Sequence, residues 1–308
     1  MKKILVSFAA LFAAATMLSA QSMADATETA KLANESLSSG DFETALAGFQ
    51  EALKMAEACG DEGVELVSTC QGIIPKILNN IANGLLKEKK FDEAVAKYQE
   101  TIEAAKKYGD EETAAKAEAK IPSVYYSKAN DLLGAKDLEG AVAAYDKVLE
   151  CEPENGNAAF KKGEALRGAG KFDEAIEAYK LAAANGQEKN AHTRMGSMYL
   201  SRAQAGLKAK KYADAIKDAE ASFEFNQNAS AYQIAGMAAQ GAGKITDAIG
   251  YFDKYLELAP NAKNAGQIAY TIGALYQNSK NTAKAKEYYQ KAAGAGYAEA
   301  QKALAALK

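Results

Sequence analysis

Four side chains and two glycine-rich turns are the places where this chain could do chemistry, and their surroundings argue against it. His192 is the single histidine in 308 residues, which excludes a multi-histidine metal site. It precedes Thr193 and Arg194 with no cysteine nearby, and Asn190 reads as a helix cap between it and Glu188, so a surface histidine is the plainer reading than a catalytic base. Cys59, Cys70 and Cys151 are separated by 11 and 81 residues, which matches none of the short spacings of metal sites. Cys59 and Cys70 are a candidate disulfide across the bend at residues 60–63; the alternative is that all three cysteines are small buried hydrophobes. GAGKFDEA and GAGKITDA contain a lysine but lack the GxxxxGK[ST] spacing of a phosphate loop, and neither follows a strand. Carboxylates are plentiful, yet no pair is singled out, and Glu164 reads as a rim contact. The expectation is a protein that is not an enzyme and has no metal and no cofactor.

Both glycine-rich turns belong to a phrase that recurs seven times: GDFETALAGF, KKFDEAVAKY, KDLEGAVAAY, GKFDEAIEAY, KKYADAIKDA, GKITDAIGYF and KNTAKAKEYY. It is centred on Ala45, Ala94, Ala141, Ala175, Ala215, Ala248 and Ala285, with an aromatic four places later in every copy but the fifth. A period of this kind describes stacked helical hairpins. In the fourth copy, Ala158, Ala159, Gly163 and Leu166 precede the break at residues 167–170, and Phe172, Ala175, Ile176, Tyr179 and Ala182 follow it. Offsets of three and four place each set on one helix face. Small residues let helix axes approach to about 8 Å, so Gly163 is expected to face Ala175. The equivalent small positions are Ala33, Ala82, Ala129, Gly196, Gly236 and Gly273. Pro153 and Pro260 fall just past second helices, where a missing donor helps to stop them.

These residues resemble the tetratricopeptide repeat family. The resemblance is carried by Gly163, Gly196, Gly236 and Gly273 in first helices, and by Tyr199 and Tyr276 near their ends. In second helices it is carried by Ala141 with Tyr145, Ala175 with Tyr179, Ala248 with Phe252 and Ala285 with Tyr289, then by Ala52, Ala182, Ala292, Pro153 and Pro260. Ala219 stands where the fifth copy needs an aromatic, and the opening aromatic slot holds Tyr125 and Tyr232 but Ala159. The resemblance implies an all-α fold, a right-handed superhelical solenoid of antiparallel helix pairs over residues 27–297. It also implies a protein-binding role and leaves the partner open.

The intervals between key alanines are 49, 47, 34, 40, 33 and 37. Against the family's 34, the first two carry extra helix-forming sequence, so lengthened or additional helices are expected between residues 53 and 122. Gly60 and Gly109 are the expected stops, and Pro75 and Pro122 the expected kinks or starts. The fifth copy is expected to lengthen its first helix through SRAQAGLKAKKY, and residues 298–308 to form a capping helix. Residues 1–20 have the build of a secretory signal, with two lysines, an apolar run and Ser19-Ala20 before Gln21. The apolar run is shorter than the roughly 20 residues of a membrane span, so no stable membrane insertion is expected after removal. Residues 21–26 are expected to be a flexible N-terminus. The periplasm of a Gram-negative bacterium is the expected location, with secretion as the alternative. The formal charge is -3, with both signs interspersed, and no basic stripe invites nucleic acid.

In the family the concave face is lined by first helices. Projected onto this chain, that face holds Asn79, Asn83, Tyr126, Asn130, Phe160, Glu164, Arg167, Thr193, Ser197, Gln233, Met237, Tyr270 and Gln277. Amides, hydroxyls and aromatics of this kind suit an extended peptide backbone. Some family members clamp an acidic C-terminus through lysine, asparagine and arginine; here Asn130 and Arg167 are present, but Tyr126 and Phe160 occupy the slots that would be polar or basic. The leading expectation is a scaffold that binds a protein or peptide partner. Self-association as a structural element and glycan or cell-wall binding are the alternatives.

Overall fold

The computed structural model describes residues 22–225 and 228–307, so the expected signal sequence lies outside the described residues. Every regular element among the described residues is helical. The chain divides into two compact units, one ending at Pro153 and one beginning at Glu154. The first unit contains α1 (22–39), α2 (Phe42–Ala58), a short turn of 3-10 helix (Gly60–Gly63), α3 (Val64–Lys87), α4 (Phe91–Tyr108), α5 (Glu111–Glu118), α6 (Ile121–Gly134) and α7 (Leu138–Cys151). The second contains α8 (Gly156–Gly168), α9 (Phe172–Ala182), a wide π turn (Ala183–Gln187), α10 (Glu188–Lys208), α11 (Tyr212–Phe225), α12 (Ala229–Gly241), α13 (Ile245–Leu258), α14 (Ala265–Asn278), α15 (Thr282–Gly294) and α16 (Glu299–Ala306).

One turn geometry makes every hairpin. Gly40, Lys89, Lys136, Gly170, Lys210, Gly243 and Lys280 each sit at φ between 58° and 84°. The next residue donates its N–H back across the turn, as Lys171 does to Leu166 O at 2.9 Å and Asn281 to Tyr276 O at 2.9 Å. That bond closes a helix whose last carbonyls would otherwise be unpaired. Glycine adopts this backbone freely, but four of the seven hairpins use lysine there, at a cost of about 1 kcal/mol each. Asp41, Asp137 and Asn281 then cap the following helix by accepting a backbone N–H, which satisfies one of its free donors.

Counted from the left-handed residue, the small residue lies seven back, the key alanine five on and the aromatic nine on. All seven key alanines are fully buried, as are Tyr98, Tyr145 and Tyr179. The small residue meets the aromatic. A methyl on Gly163 would lie 2.7 Å from the Tyr179 ring, on Gly236 2.6 Å from Phe252, and on Gly273 2.6 Å from Tyr289. Gly163 therefore faces Tyr179 and not Ala175 as expected, because a residue seven before the turn comes level with one nine after it once the turn's own residues are spent.

The departures from the period have separate causes. α3 runs for 24 residues with Pro75 inside it, and the second excess is an additional helix, α5. Gly109 at φ +76° ends α4, Asp110 caps α5 through Thr113 N, and Pro122 lies in the first turn of α6. Residues 22–39, which include most of the expected N-terminal segment 21–26, are helical, and Ala26 is fully buried. The three cysteines are free, so the candidate pair Cys59 and Cys70 is not bridged, and of the three only Cys70 is the buried hydrophobe of the alternative reading. Cys70 is buried among Phe49, Leu53 and Ile74, and burial raises its pKa. Cys59 closes α2 instead, its thiol donating to Met55 O at 3.2 Å and lying 3.5 Å from Ser22 Oγ.

The lengthened helix α10 serves two registers. Measured from its own turn at Lys210, the small residue is Ala203, which packs in one cluster with Ala219 and Ala235. Measured against the preceding hairpin, the register is that of Gly196, since Phe172 at the start of α9 meets Tyr199 and Arg202. The two small residues are seven apart, about two helical turns, so both lie on one face. Counted from the turn, Ala203 and not the expected Gly196 is therefore the small residue of the fifth hairpin, while the buried Gly196 carbonyl accepts a hydrogen bond from Ser222 of α11 at 3.1 Å. At the C-terminus, Ala300 of α16 is fully buried with Ala269 and Ala292.

Candidate functional site

The residue after the small one points out of each first helix, and what it does depends on the second helix. Tyr98 OH donates to Asn83 Oδ1 at 2.7 Å, Tyr145 OH to Asn130 Oδ1 at 2.8 Å, and Tyr179 OH to Glu164 Oε1. In each case donor and acceptor are 15 residues apart. In the last hairpin Ala274 holds that slot, and Gln277, one turn on, accepts from Tyr289 OH at 2.6 Å. The hydroxyls must be paired because the tyrosine rings are buried, and burial raises the pKa of all four phenols. Four of the expected groove residues are therefore hydrogen-bonded pins within their own hairpins. Residues 126–190 and 266–295, which span the third-to-fourth and the last of these hairpins, match family models of the tetratricopeptide repeat. Over these residues the chain carries tetratricopeptide repeats.

Solved structures similar to it include MamA, at 22% identity over 59% of this chain and 96% of that one with a TM-score of 0.35. Another is YrrB, described as a TPR protein with an unusual peptide-binding site, at 24% identity over 56% and 84% with a TM-score of 0.33. A third is PilF of Pseudomonas aeruginosa, at 18% identity over 58% and 78% with a TM-score of 0.30. No curated protein matches the sequence. Tetratricopeptide-repeat arrays are protein–protein interaction scaffolds.

Two adjacent hairpins of the second unit lack the tyrosine pin. Ala219 and Phe252 carry no hydroxyl, and the corresponding first-helix residues, Gln204 and Met237, are exposed. Between them, α10 and α12 enclose a cleft of about 450 Å³ lined by Gln204, Leu207, Lys208, Gln233, Ile234 and Met237. On the other flank of α10 a cleft of about 410 Å³ is lined by Arg167, Phe172, Arg194, Ser197, Ser201 and Arg202. In the fifth hairpin an ion pair stands in for the missing ring. Arg202 donates Nε and Nη2 to Asp218 at 2.7 and 2.6 Å, beside Ala203 and Ala219.

Glu164 is the most heavily engaged acid of the set. Its side chain is 19% exposed, and Arg167 Nη2 and Arg194 Nε each reach it at 3.0 Å. Burial alone would raise its pKa; the bonds from Tyr179 and Arg167 and the charges of both arginines outweigh that and hold it below the ordinary carboxylate value.

The other expected residues divide by neighbourhood. Gln233 and Met237 line the apolar cleft, and Arg167 and Ser197 the cationic one. Tyr126 lies edge-on to Tyr145 at 5.8 Å, Phe160 is tilted on Tyr179 at 5.5 Å, and Tyr270 lies 5.2 Å from Tyr289 and 5.1 Å from Tyr297. These rings are half-buried packing. Asn79 gives its carbonyl to Asn83 Nδ2, and Thr193 its hydroxyl to Lys189 O. His192 packs on Phe225 at 5.3 Å. Sequence reasoning missed Arg194, Ser201, Arg202, Gln204 and Leu207 as lining residues. The signal for the last two was the constant spacing from the turn, which places the fifth hairpin's groove after Ala203 and not after Gly196.

Proposed function

We propose that this protein is a non-enzymatic scaffold of the bacterial envelope that binds a polypeptide segment on the face built by α8, α10 and α12. The observation that carries the reading is the pair of clefts flanking α10, of which the apolar one is lined by Gln204 and Met237, the groove residues released from pinning, and the cationic one by Arg167, Arg194 and Ser197. Amide, hydroxyl and aliphatic side chains together suit an extended backbone with alternating side chains. The signal-like residues 1–20 support export and release into the periplasm, and among the described residues no helix is long and apolar enough to cross a membrane.

A photoreactive side chain placed at Gln204 tests this in cells. The expected outcome is one dominant polypeptide adduct in the periplasmic fraction, with none from the same probe at Lys180 on α9. Equal labelling from both positions, or none from either, would overturn the assignment of the binding face. A chain that retains residues 1–20 in the cytoplasm would overturn the location.

A further inference from the structure

The sequence contains only three arginines, and all three line the cleft between α8 and α10. They are not equivalent. Arg202 gives three nitrogens to Asp218 and Asp173 and lies 3.8 Å over the Phe172 ring, so it is matched twice in charge and serves as a wall. Arg167 and Arg194 share a single carboxylate, Glu164, and are still 46% and 48% exposed. Two guanidiniums on one carboxylate leave one net positive charge and a set of N–H donors facing the cleft. Guanidinium suits paired bonds to a planar carboxylate in a way that lysine does not. One residual charge is neutralised by a carboxylate and over-neutralised by a phosphate dianion. Tyr179 holds Glu164 from behind, so the acid cannot swing out of the pair without losing that bond as well.

The lengthening of α10 links this cleft to its neighbour. Ser197, Ser201, Gln204 and Lys208 fall at i, i+4, i+7 and i+11, one continuous stripe of the helix. The first two line the cationic cleft and the last two the apolar one. The midpoints are seven residues apart, about 10 Å of helix, which an extended chain covers in about three residues. Leu207, Ile234 and Met237 supply aliphatic surface there, with Met237 44% exposed.

We infer that this face selects an extended polypeptide segment carrying a carboxylate on Arg167 and Arg194 and, about three residues away, a large aliphatic side chain against Leu207, Ile234 and Met237. The inference rests on the peptide-binding reading above and adds its specificity. It uses two arginines of successive hairpins and does not involve the slots held by Tyr126 and Phe160.

The test is a selection of random displayed peptides, with free and with blocked C-termini, on the chain from Gln21 onward. The expected result is enrichment of aspartate, glutamate or a free C-terminus at a fixed short spacing from leucine, isoleucine or methionine; the two arms tell a side-chain carboxylate from a terminal one. With Arg194→Glu the acidic preference should give way to lysine or arginine while the aliphatic preference stays, an outcome that no unfolded variant can produce. Arg194→Gln should weaken the best peptide about tenfold, the size of one charge-assisted bond. Enriched peptides without an acidic position, or an acidic preference that survives Arg194→Glu, would overturn the inference and leave the peptide-binding reading standing. The absence of any enriched peptide would overturn that reading itself.

Discussion

The hairpins α3/α4, α6/α7 and α8/α9 differ from α10/α11 and α12/α13 in one slot, and the difference separates structure from recognition. Where the second helix brings a tyrosine, the outward residue of the first helix is bonded to it, as Asn83, Asn130 and Glu164 are. Where it brings Ala219 or Phe252, that residue is Gln204 or Met237, exposed and lining a cleft. The residue in this slot is thus available to a partner only when its own hairpin brings no tyrosine to claim it. In the fifth hairpin the Arg202–Asp218 pair supplies the cross-link that the ring does not, so removing the pin need not loosen the hairpin.

The ion pair should give the largest effect on stability. Arg202→Leu strands Asp218, which is 6% exposed, and should cost about 3 kcal/mol in denaturant unfolding, as breaking a buried pair does. A negligible loss would show that the pair does not replace the ring. Next comes the small residue: Gly236→Ala places a methyl 2.6 Å from Phe252 and should cost about 2 kcal/mol by overpacking.

The pins follow, and here pH divides the two kinds. Tyr179→Phe, Tyr98→Phe and Tyr145→Phe should each cost about 1 kcal/mol near neutral pH. Glu164 has a lowered folded-state pKa, so its stabilising contribution is complete above the ordinary carboxylate value and is lost as pH falls through the lowered one. The penalty of Tyr179→Phe should therefore shrink in acid, whereas those at Tyr98 and Tyr145, whose acceptors are amides, should stay flat. Equal pH profiles for all three would contradict the charged pin. The smallest effect is a gain: Lys136→Gly and Lys280→Gly, at φ 64° and 60°, should each raise stability by about 0.5–1 kcal/mol.

The hairpins were legible in the sequence because burial leaves little choice. The seven key alanines are fully buried, and in every copy but the fifth an aromatic follows four places later. The turns were half legible, since glycine marks three of them and the lysines of the other four carry no such signal. The pins were hidden in spacing: 83 to 98, 130 to 145 and 164 to 179 share an offset that has meaning only once the turn residue is fixed. Gly196 and Ala203 differ by two helical turns, so helical periodicity alone cannot choose between them. The cationic cleft was not legible either, because Arg194 joins Arg167 only through the packing of α10 against the preceding hairpin.

The central claim, that release from pinning makes the apolar part of the binding face, is tested most directly by installing a pin where none exists. The measurement is the affinity of a selected peptide for the Phe252→Tyr, Met237→Asn double variant, which recreates the pair seen in the third hairpin. The account predicts about a tenfold loss of affinity, the size of one well-placed contact, with a melting temperature unchanged or higher. Unchanged affinity in a folded variant would contradict it.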